Sequence, residues 1–79
     1  MIEELIKVNC EVEVNLRNVM LKRKITVNQL SKMTGIRYHI VKKYYRNEMY
    51  RIDLLNLAKF CDALNCEIED ILILKRKEI

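Results

Sequence analysis

The sequence predicts an all-α fold: a compact bundle of about five short helices, with short β-strands at the two chain ends. Three observations carry this. Apolar residues recur at helical spacing through the middle of the chain. There is no proline, and the one glycine, Gly35, falls between two such runs. The two ends instead alternate, or run in β-friendly residues. A chain of 79 residues fits one small domain, burying about 60% of its unfolded surface. Residues 1–79 are expected to form that domain, with 1–14 an N-terminal extension, 15–72 the helical core and 73–79 a basic tail.

Residues 11–14 read EVEV. With Ile6, Val8 and Cys10 before them they suggest a half-buried strand. The far end reads ILILKRK, and the two ends could pair antiparallel; an extra helix at either end is the alternative. From Leu16 the period becomes helical, with Val19 and Met20 three and four positions on. Lys22, Arg23 and Lys24 crowd the last turn, where cations suit the negative end of the helix dipole. Thr26 reads as the cap of a second helix, and Gln29 completes the capping-box pattern T-x-x-Q. Leu30 and Met33 supply its apolar stripe. Gly35 follows where a helix exit needs a left-handed residue without a Cβ penalty.

Ile36 resumes the pattern. Ile40, Val41 and Tyr44 mark the inner side of a third helix, with Tyr38, His39, Lys42, Lys43 and Arg46 outside. Asp53 caps a fourth helix, with Leu54, Leu57, Cys61 and Leu64 inward and Phe60 beside them. Asn65 ends it, since Asn tolerates the left-handed conformation. Glu67, Glu69 and Asp70 open a fifth helix at the positive dipole end, anchored by Ile71 and Leu72.

Charge is distributed unevenly. Residues 1–16 balance at −3, residues 17–51 at +9, residues 52–74 at −4, and the tail adds +2. The cations concentrate around the second and third helices, which points to a polyanion-facing surface. A basic but merely solvated face is the bland alternative. Cys10, Cys61 and Cys66 lack metal-ligand spacing, and His39 is the one histidine, so no metal and no cofactor are expected. Reduced thiols in a cytoplasmic protein are the simplest reading. No apolar run reaches the ~18 residues of a membrane span, and the acidic start is unlike a signal peptide. One glycine cannot build a glycine-rich phosphate loop, and no nucleophile motif is present, so no enzyme is expected.

The stretch T-x-x-Q-L-S-x-x-T-G-I, followed by a helix, resembles the helix-turn-helix of lambda-repressor-like (Cro or xre type) DNA-binding domains. The later RIDLLNLAKFCDALNCEIEDIL resembles the last two helices of compact bacterial and phage members. The likeness spans about Leu16 to Leu72. It implies that helix 37–46 enters the major groove of double-stranded DNA, the docking geometry typical of such repressors. Matching positions for DNA contact are Thr26, Asn28 and Gln29 at the start of the second helix. Arg37, Tyr38, His39 and Lys42 follow for base edges, and Lys43 and Arg46 for phosphates.

Side-chain chemistry agrees. Lysine donates to guanine acceptors, histidine donates or accepts, and tyrosine offers a hydroxyl and an apolar ring. Lysine and arginine on phosphates supply sequence-independent affinity. Some positions depart from the family pattern. Val27 stands where a glutamine usually opens the second helix, leaving its contact to Asn28. Arg37 replaces a small capping hydroxyl, and Tyr45 replaces a frequent glutamate. Tyr44 reads as core, Tyr38 as either a base contact or a cover over apolar surface, and Tyr45 and Tyr50 as surface or interface residues.

The expected function is a sequence-specific transcriptional regulator, a repressor, acting as a homodimer on a palindromic operator. Its dimer surface would be the paired chain ends, the last two helices, or Tyr50 and its neighbours. The alternative is a protein-interaction module, such as an antitoxin or a phage anti-repressor component, gripping a protein partner.

Overall fold

Thr26 fixes where the helix-rich middle of the chain turns. In the computed structural model, which describes residues 9–76, its Oγ1 accepts from the Gln29 N–H at 3.1 Å. Gln29 Oε1 accepts from the Thr26 N–H at 2.8 Å. The expected capping box is therefore formed and opens α2 (Val27–Thr34). Before it comes α1 (Leu16–Arg23), which ends on Lys24 in the left-handed region at φ 59°. After it, Gly35 takes φ 76°, and α3 (Tyr38–Tyr45) follows. Asp53 Oδ1 accepts from the Leu55 and Asn56 N–H groups at 2.8 and 3.3 Å, opening α4 (Leu54–Leu64). Asn65 closes α4 at φ 51°. The four-residue α5 (Ile68–Ile71) completes the helices.

The strands also form. β1 (Cys10–Val14) pairs antiparallel with β2 (Leu72–Arg76), with Cys10 opposite Arg76, Val12 opposite Leu74 and Val14 opposite Leu72. Because side chains alternate along a strand, these residues share one face. Its near end, Val14, is buried in the core; its middle pair, Val12 and Leu74, stands open. On the other face Lys75 Nζ meets Glu13 Oε1 at 3.1 Å, a surface pair worth about 0–1 kcal/mol. Hydrogen bonds at the end of β1 fix the ribbon to the helical part. Asn15 donates its backbone N–H to Ile71 O at 2.6 Å. Asn47, left-handed at φ 59°, accepts the Val14 N–H on Oδ1 at 2.8 Å.

Leu16, Val19 and Met20 from α1, Leu30 from α2, Val41 and Tyr44 from α3, and Leu57, Phe60 and Leu64 from α4 meet in one core. Val14, Ile36 and Ile71 close it. Tyr44 and Phe60 pack edge to face, with centroids 5.0 Å apart and planes at 74°. No polar or charged side chain is buried among the described residues.

Several expectations need correction. Met33 is half exposed, because α2 turns only the side carrying Leu30 and Val27 toward the core. Leu54 is largely exposed: as the first residue of α4 it precedes the inward stripe, which starts at Leu57. Ile40 is only partly buried. Leu72 begins β2 rather than anchoring α5. Ile6, Val8 and residues 77–79 of the basic tail lie outside the described residues.

Candidate nucleic-acid interface

The turn between α2 and α3 is built by its own side chains. Ser31 Oγ donates to Ile36 O at 2.5 Å. Thr34 Oγ1 donates to Leu30 O at 2.7 Å and accepts from the Ile36 N–H at 3.2 Å. Ile36 is buried immediately after the glycine. The chain thus reverses over three residues and commits α3 to one angle against α2. The polar residues of the motif, S-x-x-T, are spent on this turn.

α3 has two distinct sides. Val41 and Tyr44 are fully buried, and the Tyr44 hydroxyl accepts from the Asp53 N–H at 3.2 Å. On the outer side, Tyr38, His39, Lys42, Lys43 and Arg46 line one shallow groove together with Glu48. Lys42 Nζ donates to the Tyr38 hydroxyl at 3.4 Å and lies 5.5 Å from the ring centroid. The ring and amine, one helical turn apart, therefore form a unit rather than two independent arms. Among the described residues, no carboxylate forms an ion pair with Lys43 or Arg46. Arg37 is the cap residue before α3; it is exposed and makes no side-chain cap bond.

The start of α2 behaves differently. Thr26 and Gln29 are exposed, yet both acceptor oxygens serve the capping box. What each keeps is a donor, the threonine O–H and the glutamine N–H₂. Donors are what a phosphate oxygen requires. Asn28 is exposed beside them, while Val27 is partly buried against the core.

The structure therefore gathers Tyr38, His39, Lys42, Lys43 and Arg46 in one groove. Thr26, Asn28, Gln29 and Arg37 are exposed on the adjoining helix start and turn. Sequence reasoning did not single out Arg17. It is exposed at the start of α1, 5.6 Å over the Tyr45 ring. It also shares a second groove with Arg46, which itself lines the groove on α3. Only the charge of Arg17 was visible beforehand, since its partner is far away in sequence. The same contact explains a tyrosine at position 45.

Two short helices joined by a three-residue turn, the second packed on one side and cationic on the other, are a helix-turn-helix unit. Residues 15–77 match the family of Cro/C1-type HTH DNA-binding domains. The chain belongs to that family.

Among solved structures, it is similar to a proposed DNA-binding protein from Bacteroides fragilis, with a TM-score of 0.71 and 16% identity. That match covers 78% of this chain and 98% of that one. It is also similar to the transcriptional regulator VanUg, with a TM-score of 0.68 and 22% identity over 90% of this chain and 93% of that one. At such identities these likenesses concern the fold. No curated protein matches the chain. Among the described residues, no helix is long and apolar enough to cross a membrane.

Proposed function

We propose that this protein is a transcriptional regulator, a repressor, acting in the cytoplasm as a non-enzymatic, single-domain homodimer on a two-fold operator in double-stranded DNA. One observation carries the reading. α3 is locked by Val41 and Tyr44 on one side and turns Tyr38, His39, Lys42, Lys43 and Arg46 outward on the other. In this reading α3 enters the major groove. Arg37, Tyr38, His39 and Lys42 meet base edges, and Lys43 and Arg46 meet phosphates. Thr26, Asn28 and Gln29 hold the backbone with the donors the capping box leaves to them. The regulatory role is further supported by the likeness in fold to VanUg.

A lone module this small touches too few base pairs for useful specificity. Two copies place two recognition helices about 34 Å apart, one turn of DNA. Tyr50, Leu54 and Leu55 are exposed at the start of α4 and the loop before it. They supply an apolar surface for the second copy. The same side chains favour the second reading, an antitoxin-like or anti-repressor-like module that grips a protein.

In vitro selection of bound DNA, with a mass measurement of the complex, separates these readings. A palindromic site carrying two copies is the expected result. Undiminished binding after Lys42→Ala plus Lys43→Ala would refute the assigned face. Salt-insensitive or absent DNA binding, with a 1:1 protein complex, would establish the second reading.

A further inference from the structure

The C-terminal turn of α4 carries a chemistry that DNA binding does not use. Asn65 is left-handed at φ 51°. Its N–H reaches Asp62 O at 3.4 Å, and the next N–H, that of Cys66, reaches Cys61 O at 3.1 Å. These two bonds define a Schellman motif, whose first and last residues bring their side chains together. An apolar pair usually occupies those places; here both residues are cysteines, each free and partly accessible. The backbone bond sets the spacing. Standard bond lengths around a contact of 3.1 Å cap the Cα separation at about 7 Å. Bends at the nitrogen and oxygen draw it into the ~4.4–6.8 Å range that disulfides span. Arg23 braces the same turn, donating to Leu64 O at 2.8 Å and Asn65 O at 3.0 Å.

We propose that Cys61 and Cys66 form a dithiol modification site, closed to an intrachain disulfide by exchange with a low-molecular-weight disulfide such as glutathione disulfide. Cys61 attacks first. Burial, then the neighbouring Cys61, pushes the Cys66 thiol up to about 11, which leaves it mostly protonated and slow to attack. The Cys61 thiolate displaces one glutathione thiolate and becomes a mixed disulfide. Cys66 then loses its proton, attacks the Cys61 sulfur and expels the second glutathione. Two protein thiols are oxidised and one glutathione disulfide is reduced to two thiols. The Schellman turn holds the resolving thiol beside its target in both steps.

The test equilibrates the full-length protein in glutathione redox buffers, alkylates it with N-ethylmaleimide and digests it with trypsin. Cleavage after Lys59 and Lys75 puts both cysteines on peptide 60–75, whereas Cys10 falls on another. As the buffer becomes oxidising, peptide 60–75 is expected to lose both labels together while Cys10 keeps its own. Retention of both labels, a stable glutathione adduct, or a cross-link to Cys10 would overturn the proposal. Cys66→Ser is expected to trap glutathione on Cys61, and Cys61→Ser to leave Cys66 reacting about tenfold more slowly. Equal rates in the two variants would overturn the assigned order, and the wild-type digest stands even if a variant folds poorly.

Discussion

The hydroxyl of Tyr44, on α3, accepts a hydrogen bond from the backbone N–H of Asp53, the cap of α4, at 3.2 Å. One side chain thus joins the inner side of the cationic helix to the start of the next. Its ring is fully buried against Phe60. Tyr44→Phe keeps the packing but removes the acceptor of the part-buried Asp53 N–H, and is expected to cost about 0.5–1.5 kcal/mol in urea unfolding. Tyr44→Ala also opens a cavity and should cost about 3–5 kcal/mol. A Tyr44→Phe variant as stable as wild type would mean that the hydroxyl holds nothing.

Gly35 isolates a backbone effect. A Cβ built there meets nothing within 4 Å, so φ 76° alone opposes substitution. Gly35→Ala is expected to lower stability by about 1–2 kcal/mol, and Gly35→Asn by less. Denaturant midpoints check both; a loss above about 4 kcal/mol would point to a clash the geometry does not contain.

The capping box links two donor-bearing residues. Thr26→Ala should cost about 0.5–2 kcal/mol. Gln29→Ala should cost less once Thr26 is already replaced, because each side chain serves the other's backbone. A double-mutant cycle reads that coupling; strict additivity would show that the box is no unit.

Salt dependence separates contact from background. If Lys43 and Arg46 neutralise phosphates, replacing either with Ala should reduce the slope of log affinity against log salt by about 0.9. Lys75→Ala should leave it unchanged, since that amine faces Glu13 on the ribbon. Titrations at several salt concentrations decide, and an equal change for all three would remove the case for α3.

Cys66 gives a pH dependence with a definite sign. Its thiol is raised from 9.0 to about 11, first by burial, so the unfolded chain releases this proton earlier. The contribution is intact below about 9 and is lost as pH climbs through about 11. The fall in stability across that window should be shallower in Cys66→Ala. Parallel curves for wild type and variant would contradict the shift.

What was legible in the sequence was local. The capping box, the left-handed Gly35 and Asn65 and the Asp53 cap each depend on residues a few positions apart. Their spacing therefore showed them, and the outer side of α3 followed from the helical period. Contacts made across the chain were not legible. Arg23 reaches the end of α4, Asn47 holds β1, and Arg17 covers Tyr45. Nothing in the composition near any of these residues names its partner. The apolar pattern also overreached at Met33 and Leu54. Periodicity gives the side of a helix but not how far the neighbouring elements cover it.

The antiparallel ribbon has a mechanical consequence. Cys10 sits across from Arg76, so the first residue of β1 and the last of β2 are the two exits at one end of the ribbon. Ladder bonds run across the strands. Tension drawn between those two exits would load them one rung at a time, like a zip, and the ribbon would open before the helices bore any force.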